Sequence, residues 1–371
     1  MNTPRSSCRY ALSGRPLPSL LGLLALVLVF GGQNAWAQQG PRTSTATATL
    51  SILSGSVQHA PAGGQPQAAK DGMSLAVGDR VLTGAKSTAL VTFLDGSTLT
   101  VLPDSDVMVK KADMGSQKRS NVSIQINVGM VWARVVRLLD PSSSFSLESN
   151  TATATVHDGL IGGHYFTEDG KFVCWTRAGG LTVADPQGRT LVVLMPGEKA
   201  EMKAGQTPAP QVFFANQSAL RVAVSSNALP LVLMADKARV AGFVAPGVEV
   251  NQVFGSFTGA GAAGARIVEV PAGVPGPFTL VLEGTQEGPV TVNLTGLFKG
   301  APVYQQELSG TIKKGERLST QITQQLDPAT AGEPKTAKVQ GGKAGPLQPL
   351  EGPLPGTILL SPQELQAIGS P

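Results

Sequence analysis

From about residue 50 onward, apolar and polar positions alternate with a period of two, in short runs broken by Gly, Asp, Pro and Asn. That period marks half-buried strands, and helical periodicity is nearly absent. The clearest unit is Ala89 to Leu102, ALVTFLDGSTLTVL, where two β-rich runs flank Asp95-Gly96. This pair suits a two-residue type I′ hairpin turn. Such a turn sets Leu94 against Ser97, Thr92 against Leu99 and Leu90 against Val101. Leu90, Leu94, Leu99 and Val101 then share the core face, while Val91 and Phe93 point toward a further layer. Similar runs follow at Val122–Val128, Val131–Leu139, Ser144–Ser149, Thr153–Val156, Tyr165–Thr167, Lys171–Thr176, Leu181–Ala184, Thr190–Leu194 and Lys199–Met202. Together they predict an all-β sandwich, roll or short solenoid over 51–205.

A Pro-containing stretch at 206–215 reads as a linker. Beyond it, eight strands are expected between 216 and 327, among them Leu220–Val224, Phe278–Glu283 and Arg317–Gln324, which fits an immunoglobulin-like sandwich. Residues 328–371 are rich in Pro and Gly and read as a disordered tail. Within it, Ser361-Pro362-Gln363-Glu364 has the chemistry of a helix start, for a short helix over 361–368. A small device recurs at Val77-Gly78-Asp79, Pro196-Gly197-Glu198 and Lys314-Gly315-Glu316: a tight Gly turn carrying an acid and feeding a strand.

The first 37 residues change the picture of compartment and charge. Arg5, Arg9 and Arg15 precede an apolar run, Leu20 to Phe30, and then Ala35-Trp36-Ala37. A charged start, a short apolar stretch and a small-residue exit make a secretory signal cleaved after Ala37. The run is short of the roughly 20 residues that a membrane-crossing helix needs, so membrane contact is expected only through this segment if it stays uncleaved. Residues 38–50 then form a flexible leader, and the mature chain is periplasmic or secreted. Of 29 Lys and Arg, three fall in the signal, leaving 26 against 25 Asp and Glu. No basic cluster with interleaved aromatics remains, so no nucleic-acid partner is expected.

Resemblance to a family rests on an ordered series of residues. Leu75-Ala76-Val77-Gly78-Asp79-Arg80-Val81-Leu82-Thr83-Gly84 resembles the opening of the FecR domain, and Ser87 to Ser97, with Asp95-Gly96-Ser97, is similar to its hairpin. Gly129-Met130-Val131 and Phe145 to Ser149 resemble its later strands, and Ile161-Gly162-Gly163-His164-Tyr165-Phe166 its V-R-G-T-x-F string. Gly163 and Phe166 keep that string's turn and anchor, while Gly162 and His164 replace its Arg and Thr. The match is good over 75–168. It implies an extracytoplasmic β domain acting as a binding or scaffold module. The family's type protein is a membrane-spanning relay to a sigma factor; a chain that starts with a signal peptide has no cytoplasmic part for that, so no sigma-factor contact is expected. The residues carried over, Gly78, Asp79, Thr83, Gly84, Asp95, Gly96, Ser97, Gly129, Gly163 and Phe166, are structural.

Catalytic chemistry finds no grouping. Gly259-Ala260-Gly261-Ala262-Ala263-Gly264 matches G-x-G-x-x-G, with Glu283 beyond it, but an alternating strand follows where a dinucleotide site needs a helix. It reads as a hairpin loop, and no cofactor is expected. Asp104 and Asp106 sit at a turn after Pro103, where acids are common. Cys174 stands mid-strand and reads as a small buried hydrophobe. Two other readings stay open beside the non-catalytic envelope module, whose partner would be an envelope protein or a cell-wall glycan. One is a carbohydrate or peptidoglycan binder using Trp132 and Trp175 as stacking platforms. The other is a metal-dependent hydrolase using His157, Asp158 and His164, although neither a metal nor a catalytic residue is assigned from the sequence.

Overall fold

The computed structural model describes residues 46–352, apart from 115–118, 139, 215–216, 236–238, 275, 331–336 and the side chain of Met114. The signal segment 1–37, its cleavage point, most of the leader and the helix expected over 361–368 lie outside the described residues. Within them the chain is all β, and no helix is long and apolar enough to cross a membrane.

In chain order the first domain holds β1 (Ala48–Ser54), β2 (Val57–Ala60), β3 (Gln67–Ala68), β4 (Met73–Leu75), β5 (Arg80–Thr83), β6 (Thr88–Phe93), β7 (Thr98–Val101), β8 (Asp106–Met114), β9 (Ser120–Val135), β10 (Ser144–Glu148), β11 (Thr153–Val156), β12 (Gly159–Phe166), β13 (Lys171–Ala178), β14 (Leu181–Ala184), β15 (Thr190–Leu194), β16 (Glu198–Met202) and β17 (Gln211–Val212). They form two packed layers. One runs β4-β1-β6-β7-β9-β12-β13-β16-β17. The other runs β3-β2-β5-β8-β9-β10-β11-β14-β15, with β9 and β10 parallel. Strand β9 belongs to both.

That sharing turns on Gly129. Sequence reading ends one run at Val128 and starts another at Val131; the chain instead runs straight through as a 16-residue strand. Its first half pairs in one layer and its second half in the other. Gly129 bends the strand at φ +89, and a Cβ there would lie 2.3 Å from Ser105 Oγ and 2.7 Å from the Asp104 carbonyl. Ser105 Oγ in turn accepts from Met130 N–H at 2.9 Å, so the corner is held from outside the strand. Gly129→Ala adds a disfavoured left-handed residue, about 1–2 kcal/mol, to a backbone clash. We expect a loss of at least about 2 kcal/mol in urea unfolding. An unchanged midpoint would show that the corner relaxes freely.

The layers enclose a core of Leu50, Val91, Phe93, Leu99, Ile124, Ile126, Phe145, Leu147 and Phe172, among others. Here the expected hairpin register is corrected. Val91 pairs with Leu99 and Leu90 with Thr100, one residue off the sequence reading. The loop has three residues, Leu94-Asp95-Gly96, because Gly96 at φ +89 forms the bulge of a type I turn rather than the second residue of a type I′ turn. One residue of slip exchanges the faces. Val91 and Phe93 face the core, and Leu94, expected there, is 42% exposed.

The second domain comprises β18 (Ala219–Val224), β19 (Ala228–Leu233), β20 (Val240–Ala245), β21 (Val248–Asn251), β22 (Phe257–Ala260), β23 (Arg266–Pro271), β24 (Phe278–Gly284), β25 (Gly288–Phe298), β26 (Ala301–Ile312), β27 (Arg317–Leu326), β28 (Val339–Ala344) and β29 (Gln348–Pro349). It is a sandwich of β22-β23-β18-β25-β26 over β21-β20-β19-β24-β27-β28, with β29 also on β27. Its core includes Leu220, Val222, Leu280, Leu282, Val292 and Ile322. Gly259 to Gly264 connects β22 to β23 through a hairpin, as expected, with Gly261 N–H bonded to the Ala265 carbonyl at 2.7 Å.

Three boundaries move. Strand β1 starts inside the expected leader, because Ala48 and Leu50 already bury against β4 and β6. The expected linker contains β17, and Phe213 and Phe214 N–H both bond to the Gly197 carbonyl. The expected disordered tail supplies β28 and β29. Composition misleads there because the glycines have a packing role. A Cβ on Gly342 would lie 2.2 Å from the Tyr304 ring and one on Gly296 1.9 Å from it, so the ring lies across both. Gln306 also clasps Ala344, donating to its carbonyl at 3.0 Å and accepting from its N–H at 2.8 Å.

Candidate functional site at the seam between the two domains

The motif residues singled out between Gly78 and Phe166 build turns and corners. The recurring acid device is one structure used three times. Gly78, Gly197 and Gly315 have φ +92, +94 and +77, the left-handed third position of a type II turn. In each, the acid closes the turn through its own N–H and accepts the N–H of the turn's first residue with its carboxylate: Asp79 from Ala76 at 3.0 Å, Glu198 from Met195 at 2.7 Å and Glu316 from Lys313 at 2.8 Å. Asp79 also meets His59 Nε2 at 2.9 Å. Thr83 Oγ1 donates to the Leu102 carbonyl at 2.6 Å and Gly84 N–H to the Ser56 carbonyl at 3.0 Å. Asp95 accepts from Ser97 N–H at 2.8 Å and Ser120 Oγ at 2.7 Å, while Ser97 Oγ accepts from Val136 N–H at 3.3 Å. Gly163 lets the layers close, since a Cβ would lie 2.9 Å from Ile126 and 3.1 Å from Phe172.

Phe166 stacks on His164 with ring centroids 3.8 Å apart, and Lys171 Nζ lies 4.4 Å from the Phe166 centroid. Burial, reinforced by Lys171, holds the His164 imidazole below its ordinary pKa. Unfolding therefore favours protonation, and stability falls as pH drops below the unfolded value near ~6.5. In urea titrations across that range, His164→Gln should flatten the fall. An identical slope in both proteins would remove the assignment.

Gly162 lies at the centre of the seam. On β12 it pairs with Trp132 of β9 on one side and Trp175 of β13 on the other. A Cβ there would come within 3.0 Å of one indole and 3.2 Å of the other. Phe254 of the second domain lies against both indoles, with centroids 5.1 and 5.5 Å away in edge-on geometry. Phe214 lies 6.2 Å from Trp132 and Phe213 6.0 Å from Trp175. Beside the rings, Glu269 on β23 accepts from Arg177 Nη2 of the first domain at 2.6 Å, and from Arg221 Nε and Nη2 at 3.0 Å each. Trp132, Trp175 and Glu269 are buried, at 0%, 7% and 5% exposure. Both indole N–H groups lack a protein acceptor.

At the rim of this seam a cleft of about 510 Å³ opens. The Asp95-Gly96 hairpin, Arg134 to Arg137 at the exit of β9 and Asp158 to Leu160 at the start of β12 form one wall. Gly247 to Glu249 and Thr258 of the second domain form the other. Arginines and acidic residues thus line one space, and Thr258 Oγ1 donates to Glu249 Oε2 at 2.5 Å. Such a lining suits a polar ligand with both charges, or a loop of a partner protein.

Other candidates do not assemble. Among the described residues no group of three or more His, Cys, Asp or Glu could hold a metal, so His157, Asp158 and His164 do not converge on one. Asp106 is taken by Arg80 and by Asn127 Nδ2 at 3.2 Å, and Asp104 sits in a left-handed turn at φ +55. Burial pushes the Cys174 thiol up to about 12, which leaves it protonated.

Neither any family model nor any curated protein matches the chain. Two crystal structures of a proposed anti-sigma factor from Parabacteroides distasonis are similar, at 16% and 15% identity and TM-scores of 0.31 and 0.30. Each alignment covers 36% of this chain and spans 59% of that one.

Proposed function

We propose that this is an exported, non-catalytic FecR-domain protein that acts in the cell envelope as a binding or scaffold module. The family assignment rests on the residue series from Leu75 to Phe166, and the export on the signal-like first 37 residues. One observation carries the functional reading: two β domains joined through a buried aromatic and ionic seam, with a mixed-charge cleft at its rim. Two packed layers with a polar notch suit holding a partner in place. Packing of Trp132 and Trp175 on Phe254 counts against their use as stacking platforms for a glycan.

The test is capture from the protein's own envelope fraction, with both proteins and glycans identified. Two baits are compared, the native chain and an Arg137→Glu/Glu249→Lys variant that reverses both walls of the cleft. A defined protein held by the first bait and lost by the second is the expected result. Cell-wall fragments alone would move the function to glycan binding. Equal capture by both baits would take the partner away from the cleft.

A further inference from the structure

Each sheet of a two-layer sandwich buries one face, and its other face is ordinarily polar and wet. The sheet β21-β20-β19-β24-β27-β28 departs from this on its outer side. Along β24, Leu280 and Leu282 point into the sandwich core and Val281 between them points out; along β19, Val232 points in and Leu231 and Leu233 point out. Register sets these outward residues side by side. Val281 pairs with Leu231, Leu231 with Gly242 and Gly242 with Val250, which makes one row across four strands, and Leu233 pairs with Val240 in the next. The apolar stripe stops at β27, where Arg317, Ser319 and Gln321 stand opposite Glu283, Val281 and Thr279.

Leu231, Leu233, Val240, Val250 and Val281 are each no more than 5% exposed. Among the described residues, one apolar side chain reaches this group from outside its four strands, that of Leu350. Leu350 comes there directly after β29. Its N–H donates to the Arg317 carbonyl at 2.9 Å, and Arg317 Nη1 donates to the Gly352 carbonyl at 3.4 Å. The chain is thus already seated on this face when it passes Gly352. A face this apolar and this little exposed needs a broader cover than one leucine.

We propose that residues 353–371, which follow Gly352 and lie outside the described part, cross this outer face as its cover. Position, length and composition identify the occupant. The segment has 19 residues, with Leu354, Ile358, Leu359, Leu360, Leu365 and Ile368 among them and Glu364 as its single charged side chain. A chain of that length reaches roughly 60 Å when extended, and the row from β24 to β21 is about 15 Å wide. The other stretches outside the described part do not compete. Residues 38–45, 115–118, 236–238 and 331–336 hold no Val, Leu, Ile, Met or aromatic residue, and Leu20 to Phe30 belongs to the signal-like segment. A tethered cover also forms without the cost of bringing two molecules together.

Thiol labelling of the mature chain, residues 38–371, carrying Val281→Cys tests this. Cys174 is buried with its thiol held protonated and stays silent. Slow labelling is expected with the native tail. Ile358→Ser, Leu359→Ser and Leu360→Ser together should speed it at least about tenfold, since opening of the face becomes easier. Should Val281→Cys misfold, Val250→Cys reads the same row from β21. Fast labelling with the native tail, or slow labelling that survives the triple substitution, overturns the proposal. So does protection that fades as the protein is diluted, which would give the face to a second copy.

Discussion

Trp132→Ala should destabilise the protein by about 3 kcal/mol, measured as a shift in urea midpoint at unchanged slope. Removing a fully buried large aromatic costs about 3–5 kcal/mol, more where the surroundings cannot collapse into the space. They cannot do so easily here. Strand β9 is held in both layers of the first domain, and Phe254 approaches from the other domain. One effect acts in the opposite direction. The indole N–H has no protein acceptor, and deleting an unsatisfied buried donor returns about 1 kcal/mol or more. The lower end of the range is therefore expected. Trp132→Phe separates the two effects: it keeps a ring against Phe254, removes the unpaired donor and should cost less than about 1.5 kcal/mol. Similar losses for both variants would mean that ring contact is not what holds the seam.

Glu269→Ala should cost as much, about 3–5 kcal/mol, for a different reason. Among the described residues Glu269 is the acid that pairs with Arg177, whose side chain is 15% exposed; Arg221, at 46%, can turn to water. Alanine leaves the Arg177 charge buried and uncompensated, which is the expensive way to break an ion pair. Removing both charges is cheaper. Arg177→Met combined with Glu269→Leu should recover most of the loss, since burial of the pair itself is close to neutral. The dependence on salt should be slight, because buried pairs are poorly screened. A loss under about 1 kcal/mol for Glu269→Ala would place the pair among solvent-screened bridges.

Much of the fold could be read from alternation. Strands such as β10, β11, β14, β15, β18 and β24 stand within a residue or two of the runs that the period-two pattern marks, whereas β1 to β4, β8, β20 and β22 are not marked by it, and the Gly-acid device holds at all three places. What escaped reading depends on partners distant in sequence. Gly129 reads as a break because glycine usually ends a strand; only Ser105, 24 residues earlier in the chain, shows that the strand turns a corner there. The Asp95-Gly96 pair is compatible with two hairpins that differ by one residue, and packing of Phe93 and Val91 against Phe145 and its neighbours selects one. The tail reads as disordered until Tyr304 is laid over Gly342. For the site, Trp132 and Trp175 stood out, but their neighbour Gly162 registered only as a departure from a family string. Nothing local in the sequence connects Phe254 to the gap that this glycine leaves.

The seam also gives the protein a built-in optical reporter. Apart from Trp36 in the signal-like segment, its tryptophans are Trp132 and Trp175, both in contact with Phe254. Indole emission from the folded chain therefore reports the junction and neither domain core. If the domains parted while each stayed folded, emission would move to longer wavelength with no change in backbone dichroism. Separation of the domains and unfolding of the domains can thus be told apart in a single titration, without a label.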